Sequence, residues 1–417
     1  MKISAHTRRV GAAIAAAALL AGSLAACARG GDSPSAANAS SPGITDTTIT
    51  FGSTAPLTGP AAGVGNCAID GATAYFEMRN AEGGIPFGDG KTRTVEFRAY
   101  DDGYDPQRAA ANFQQMVSDG VFGAALSLGT PTNRAWREAA IAEEVPQVLL
   151  QTGDPIFSDR EESPWQLGLL PIYQLEGEAF GRMLVESGET HEVAVLFQND
   201  DFGEGYVEGL KRAIEGSENV TIVKEVGYEA TATDVSAQVT DLASTGADVF
   251  YNAMSSLAPL VIGSLQQAAA LNWTPSVFLP STSSSPAALL TPSGVADRFA
   301  AIYTTASSAS ASAPDFATSE DGKEFLAALA DYTNQDAAPG FPQCLWGWIG
   351  ASILEEAFTH MQEPTRESFM TALRDIADFD APFLLDGATI STTEDGLPAM
   401  SDVQVMGYNG AGFSPAG

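Results

Sequence analysis

Residues 93–129, "RTVEFRAYDDGYDPQRAAANFQQMVSDGVFGAALSLG", decide the fold. The first nine, RTVEFRAYD (93–101), read as a β-strand. Asp105 is then a natural N-cap and Pro106 fits the first helical position. Ala109, Phe113, Met116 and Val117 fall on one face of the helix that follows. GAALSLG (123–129) reads as the next strand. The order is strand, helix, strand, which belongs to a parallel sheet covered by helices.

The same alternation extends in both directions. Upstream, TTITFGST (47–54) reads as a strand and GNCAIDGATAYFEMRNA (65–81) as a helix; downstream come a helix from about Thr132 and the strand PQVLLQT (146–152). After the hinge-like SPWQLGLLPIY (163–173) a second series begins. Helices over 174–187, 204–215, 234–244 and 258–271 alternate with strands at 192–199, 221–228, 247–252 and 276–280. The expected fold class is therefore α/β, with two doubly wound parallel-sheet lobes joined by crossing strands. SSASASAP (307–314) is of low complexity and is expected as a surface loop near a crossing.

At the N-terminus, MKISAHTRRV carries Lys2, Arg8 and Arg9 without an acid, and an Ala/Leu-rich run follows from Val10 to Leu24. That apolar run is shorter than the about 20 residues of a membrane-spanning helix, so residues 1–26 read as a signal peptide. Leu24-Ala25-Ala26-Cys27 resembles a bacterial lipobox, which implies a lipid on the Cys27 sulfur and cleavage just before it. Residues 28–43, nearly all Ala, Ser, Gly, Asn and Pro, cannot bury a core and read as a tether. The expected location is extracytoplasmic, with residues 27–45 anchoring a globular domain to the outer face of the cell membrane.

Loss of residues 1–26 removes three of 20 basic residues and none of 52 acidic ones, leaving 17 against 52, a formal charge of −35. Such a field repels nucleic acid and anionic lipid, and excludes them as main partners. Cys67 and Cys344 remain as an even pair, which in an exported chain reads as a disulfide. It would close a loop of 344 − 67 = 277 residues, for which chain entropy assigns roughly 5 kcal/mol at most.

Ligands of open α/β sheets sit beyond the carboxyl ends of strands, beside helix N-termini. Three such ends carry small hydroxyl residues: Thr130 and Thr132 after the third strand, Thr152 with Asp154 after the fourth, and Ser281 with Thr282 after SVFLP. Hydroxyls and a free helix N-terminus can hold a carboxylate without a basic side chain.

From Ile49 to about Tyr408 the chain resembles the branched-chain amino acid-binding family of ABC-transporter substrate-binding proteins, with the type I periplasmic binding fold. The resemblance rests on "GSTAPLTGPAAGVGNCAIDGATAYFEMRNAEGGI", "AYDDGYDPQRAAANFQQMVSDGV", "EEVPQVLLQTGD" and "FQNDDFGEGYVEGLKRAI". It implies a ligand carboxylate clamped at Thr130 to Thr132 and Thr152 to Asp154, an aromatic at Phe202, and a tyrosine around Tyr251 to Met254. The acid that such proteins place near SVFLP for an ammonium is missing, and Ser281 or Thr282 stands there. Asp154 could replace it; otherwise the pocket favours acids or neutral heads. Phe341, Trp346 and Trp348, with Phe202, are candidates to cover an apolar body. The implied boundaries are 46–168 plus about 306–402 for the first lobe and 169–305 plus about 403–417 for the second. The first helix and the late WGWIGASILEEAF helix then share a lobe, where Cys67 and Cys344 could bridge them. The implied partners are a small-molecule ligand and a membrane ABC permease; the implied state is a monomer, with no cofactor or metal.

Catalytic patterns are absent from the sequence. His6 leaves with the signal peptide, and neither His191 nor His360 lies near a candidate nucleophile; no G-x-S-x-G, H-E-x-x-H, P-loop or C-x-x-C occurs. Asp101-Asp102 and Asp200-Asp201 sit in turns after strands, where Asp is expected. The alternative to an importer's binding protein is the ligand-sensing subunit of a signalling receptor.

Overall fold

The computed structural model describes residues 40–311, 313, 315–334 and 340–416. Residues 1–26, read above as a signal peptide, and Cys27 lie outside them. The first sheet is built from β1 (Thr48–Ala55), β2 (Ile85–Pro86), β3 (Thr92–Asp101), β4 (Gly123–Ala125), β5 (Gln147–Leu150) and β6 (Gln166–Gly168), in the order β2-β3-β1-β4-β5-β6. All neighbours are parallel except the short edge strand β2. Its crossover helices are α1 (Ala62–Ala81), α2 (Pro106–Ser118) and α3 (Thr130–Ala142). Asp105 caps α2 as read, its carboxylate accepting from the N–H groups of Gln107 at 2.7 Å and Arg108 at 3.2 Å.

The second lobe carries α4 (Tyr173–Glu186), β7 (His191–Gln198), α5 (Asp201–Ile214), β8 (Val220–Tyr228), α6 (Ser236–Ala243), β9 (Val249–Ala253), α7 (Ala258–Ala270), β10 (Ser276–Phe278), a one-turn α8 (Thr291–Ser293) and β11 (Ala301–Ala306). After β11 come α9 (Glu320–Tyr332), α10 (Gln343–His360) and α11 (Arg366–Leu373), and then β12 (Gln404–Tyr408) and β13 (Phe413–Pro415) rejoin the second sheet. That sheet runs β13-β12-β11-β10-β9-β7-β8, parallel from β11 to β8 and antiparallel at β12 and β13. The fold is the expected pair of doubly wound lobes, with antiparallel strands added at the edges.

The crossing segments lie side by side. Ala399 N–H donates to Gly168 O at 3.0 Å, and Met400 N–H to Leu169 O at 2.9 Å. The 307–314 stretch departs from its expected exposure, because Ser307 and Ser308 are buried and Ser308 bridges to Leu384. Trp346 Nε1–H donates to Ser308 Oγ at 3.1 Å, which draws this part of the stretch into the crossing.

The first lobe's core gathers β1, α10 and α11: Phe51 packs against Phe122, Phe358 and Phe369, with ring centroids 5.6–5.9 Å apart. The second is built on Phe180, Tyr251 and Phe278, the last two stacked at 4.6 Å. Helix α10 returns to lie on α1, where backbones nearly touch. A Cβ at Gly71 would overlap the carbonyl oxygen of Cys344, and one at Gly347 the carbonyl oxygen of Ala68. One turn before Gly71, Cys67 is disulfide-bonded to Cys344, with Cα atoms 4.5 Å apart. Among the described residues no helix is long and apolar enough to cross a membrane.

This crossing makes a signed prediction. Gly71→Ala should lower stability by about 1–3 kcal/mol, because the new methyl meets backbone that cannot yield. Gly263→Ala, in α7 with nothing within 4 Å of the added atom, should raise it by about 0.5–1 kcal/mol. Denaturant unfolding of both variants checks this, and equal effects would remove the close packing of α1 on α10.

Candidate functional site

The C-terminal ends of the parallel strands in both sheets open onto one narrow cavity, with about 440 Å³ of space between the atoms when its solvent-open part is included. From the first lobe come Ala61 and Val64 at the start of α1, Tyr104 after β3, Leu128 to Thr130 at the start of α3, and Gln151 after β5. The second lobe adds Phe202 at the start of α5, Ser255 to Leu257 before α7, and Thr282 after β10. Leu170 and Tyr173 enter from the crossing, and Gln343 and Trp346 from α10. None of these lining residues is charged.

Helices α1, α3, α7 and α10 all start at this cavity, and none has a side-chain cap. Away from it the N-terminus of α2 is capped by Asp105; at its edge that of α5 is capped by Asp200. The free N–H groups and partial positive charge of the four uncapped ends are therefore turned toward a common space. Among the described residues, side-chain atoms on its wall also lack partners: both amide atoms of Gln151, Thr282 Oγ1 and Gln343 Oε1. These residues are only 4%, 8% and 3% exposed. Buried polar atoms ordinarily find hydrogen bonds, so a water or a ligand's polar group in the cavity would satisfy these.

Beside them Thr130, Thr152 and Tyr173 form a triangle of hydroxyls, with oxygens 2.8, 2.9 and 3.0 Å apart. Burial holds the Tyr173 phenol well above its ordinary range, so it serves as a neutral hydrogen-bonding group. Tyr104 adopts a left-handed backbone, φ +64°, that sends its ring across to the second lobe. Burial, then the charge of Asp200, pushes its phenol far up as well. Arg134 of α3 holds Asp154 at 2.5 and 3.0 Å and reaches Asp201 of α5 at 3.0 Å, an ion pair from lobe to lobe. Ala55, Ala61 and Val64 share one apolar cluster with Leu257 and Val261 of the second lobe.

The expected site residues divide. Thr130, Phe202 and Thr282 line the cavity, and Thr152 stands behind Thr130 through its hydrogen bond. Thr132 turns away, its hydroxyl donating to Leu128 O at 2.8 Å. Asp154 does not line the space: its carboxylate is engaged by Arg134 and by Ile156 N–H at 3.1 Å. Tyr251 points into the second lobe's core and donates to Tyr206 O at 2.9 Å, since strand alternation turns it from the cleft. Ser281 is committed to Glu176, through its N–H at 3.1 Å and its hydroxyl at 3.0 Å.

Glu176 is the acid that the sequence reading missed. Its carboxylate also accepts from Tyr206 Oη at 2.8 Å and from Thr305 Oγ1. Burial raises its pKa, while those donors draw it back down. Of the other candidate aromatics, Trp346 lines the cavity, whereas Trp348 stacks edge-on against Tyr75 and Phe341 lies outside the cavity wall. Tyr104, Gln151 and Gln343 were not singled out. Gln151 could have been, because it stands at the same strand end as Thr152.

The family model described as periplasmic binding protein matches residues 48–412. The chain belongs to the periplasmic binding protein family. Proteins of this family work outside the cytoplasm. This periplasmic binding protein is 29% identical over 214 residues to the Leu/Ile/Val-binding protein homolog 3 of Brucella melitensis, covering 49% of this chain and 53% of that one. The chain thus spans about half the length of the curated relatives it matches. Among solved structures it is similar to a branched-chain amino acid ABC transporter from Thermus thermophilus with bound valine, with a TM-score of 0.77 and 16% identity over 90% of this chain and 96% of that one. It is also similar to a fatty acid ABC transporter substrate-binding protein from Thermomonospora curvata, with a TM-score of 0.76 and 20% identity over 91% and 94%. At these identities the likeness is one of fold.

A side chain kept unpaired for a ligand should weaken the empty protein. Gln151→Met is expected to leave the stability of the unliganded domain unchanged or raised by up to about 1 kcal/mol, because it replaces two buried unpaired atoms with apolar ones. Melting of ligand-stripped protein checks this. A clear loss would show that Gln151 has an internal partner.

Proposed function

We propose that the protein captures a small organic acid lacking an α-ammonium group, as the lipid-anchored binding component of an ABC importer. The observation that carries this reading is the cavity wall: four uncapped helix N-termini and, among the described residues, the unpaired Gln151 amide, Thr282 Oγ1 and Gln343 Oε1, with no charged side chain. A carboxylate would receive N–H and hydroxyl donors there and gain from the helix dipoles. Tyr104, Leu128, Phe202 and Trp346 would cover its apolar body.

An α-ammonium in the same space would have no carboxylate to meet, a deficit of several kcal/mol. The acids around the site are committed: Asp154 to Arg134, Asp200 to the N-terminus of α5 and to Gln198 Nε2 at 2.6 Å, Glu176 to its four donors. Ligand would favour the closed arrangement by bridging first-lobe Thr130 and Gln151 to second-lobe Thr282, and a permease would read that closed shape. Residues 46–168 with about 306–402, and 169–305 with about 403–417, would be the two moving lobes. A lipid on Cys27 and the tether after it would keep the domain beside the permease at high effective concentration. The protein is taken as monomeric and non-enzymatic.

Melting in the presence of leucine, isoleucine, valine and phenylalanine, each beside its des-amino and keto acid and with benzoate added, tests the ligand class. A ligand at 100 times its Kd should stabilise by about 2.7 kcal/mol. Shifts are expected from the acids; shifts confined to the amino acids would overturn the reading. For the anchor, Cys27→Ala should move the protein from the membrane to the soluble fraction, and unchanged membrane retention would remove the lipid.

A further inference from the structure

Behind the cavity lies a groove along the crossing segments, with about 1620 Å³ of empty space open to solvent. Trp346 lines both spaces and is 2% exposed. We propose that Trp346 is the end wall that sets the length of the ligand, and that the groove behind it is a latent second compartment suited to an apolar tail. The proposal rests on the interlobe cavity being the ligand site.

The wall is held from several sides. Trp346 Nε1–H donates to Ser308 Oγ at 3.1 Å. Its helix is tied down two residues earlier by the Cys67–Cys344 disulfide, and one residue later Gly347 packs against the backbone of α1. One turn before it on α10, Gln343 Nε2–H donates to Thr282 O at 3.1 Å, a second tie between α10 and the segment after β10. The partition is thus built from the returning helix and the second lobe together.

The groove is rich in hydroxyl residues, and several of their protons are committed to the protein. Ser281 and Thr305 donate to Glu176, Ser284 to Ser281 O at 3.2 Å, and Ser285 to Gly340 O. The rest of the wall is mostly apolar, including Pro286, Phe341, Leu384, Met406 and Phe413, with Asp315, Asp386 and Gln404 as exposed polar members. Among the described residues Ser307 Oγ is buried without a partner, a point in the groove's interior where a polar group would be preferred. This chemistry fits an alkyl or aryl chain, and the indole of Trp346 stands between such a chain and a head group in the cavity.

The test measures binding by calorimetry to straight-chain series of increasing length, for the wild type, Trp346→Phe and Trp346→Ala. Each length is run as the acid, the matching α-amino acid and the primary amide, so that a wrong head group silences one series while the length dependence is read in another. The wild type should show an optimum length and weaken beyond it. Trp346→Ala should continue to gain, roughly fourfold per added methylene, past that optimum. Trp346→Phe should shift the optimum the same way by less, and it serves alone if the alanine variant does not fold. An optimum unchanged by either substitution overturns the proposal. Silence of every series with the wild type would refute the ligand class and leave the wall to a crystal structure of the variant: cavity and groove merged would support it, and a partition rebuilt by neighbouring side chains would overturn it.

Discussion

The contact on which the binding site depends is the one between α1 and α10. Neither helix could approach so closely with a side chain at Gly71 or Gly347, and the disulfide holds the approach in register. Residues 64 and 67 of α1 and residues 343, 344 and 346 of α10 fall within two turns of it. The same contact that packs the first lobe therefore delivers Val64, Gln343 and Trp346 to the cavity. A chain that failed to return after β11 would leave the cleft without one of its walls.

Polarity at the cavity follows from what the folded chain leaves unmatched. Side-chain caps are present on α2 and α5 and missing on α1, α3, α7 and α10, which open into the cavity, as they also are on α4, which starts there with Glu176 in its first turn, and on α6. The buried acids around it have found donors: Arg134 for Asp154, and hydroxyls with one N–H for Glu176. Free donors and partial positive charge are left facing inward, together with an amide carbonyl or two. An anion with a neutral, apolar body, the ligand proposed above, would satisfy that balance.

Much of the scaffold was legible because it rests on local rules. Asp105 and Pro106 start α2 as read, and the alternation of strands and helices predicts parallel sheets before any contact is known. Thr130 and Phe202 were found by position, at a strand end and a helix start. What escaped depends on tertiary placement. Tyr251 sits in a strand where a one-residue choice of face decides between core and cleft. Tyr104 reaches the cavity through a positive φ that its residue type does not announce, and Glu176 is buried by partners up to 129 residues away. Ser281 occupies the expected place after β10, yet its hydroxyl answers to Glu176 instead of a ligand. The start of α10, and with it Gln343, is set by packing on α1, so no local signal marks that glutamine as part of the wall.

The central claim is that the site holds an acid and has no place for an ammonium. Native mass spectrometry of the protein purified without denaturation, followed by release and identification of the bound compound, tests it directly. The account predicts a small carboxylic acid without a basic nitrogen, bound one per chain. Recovery of an α-amino acid in that stoichiometry would contradict it.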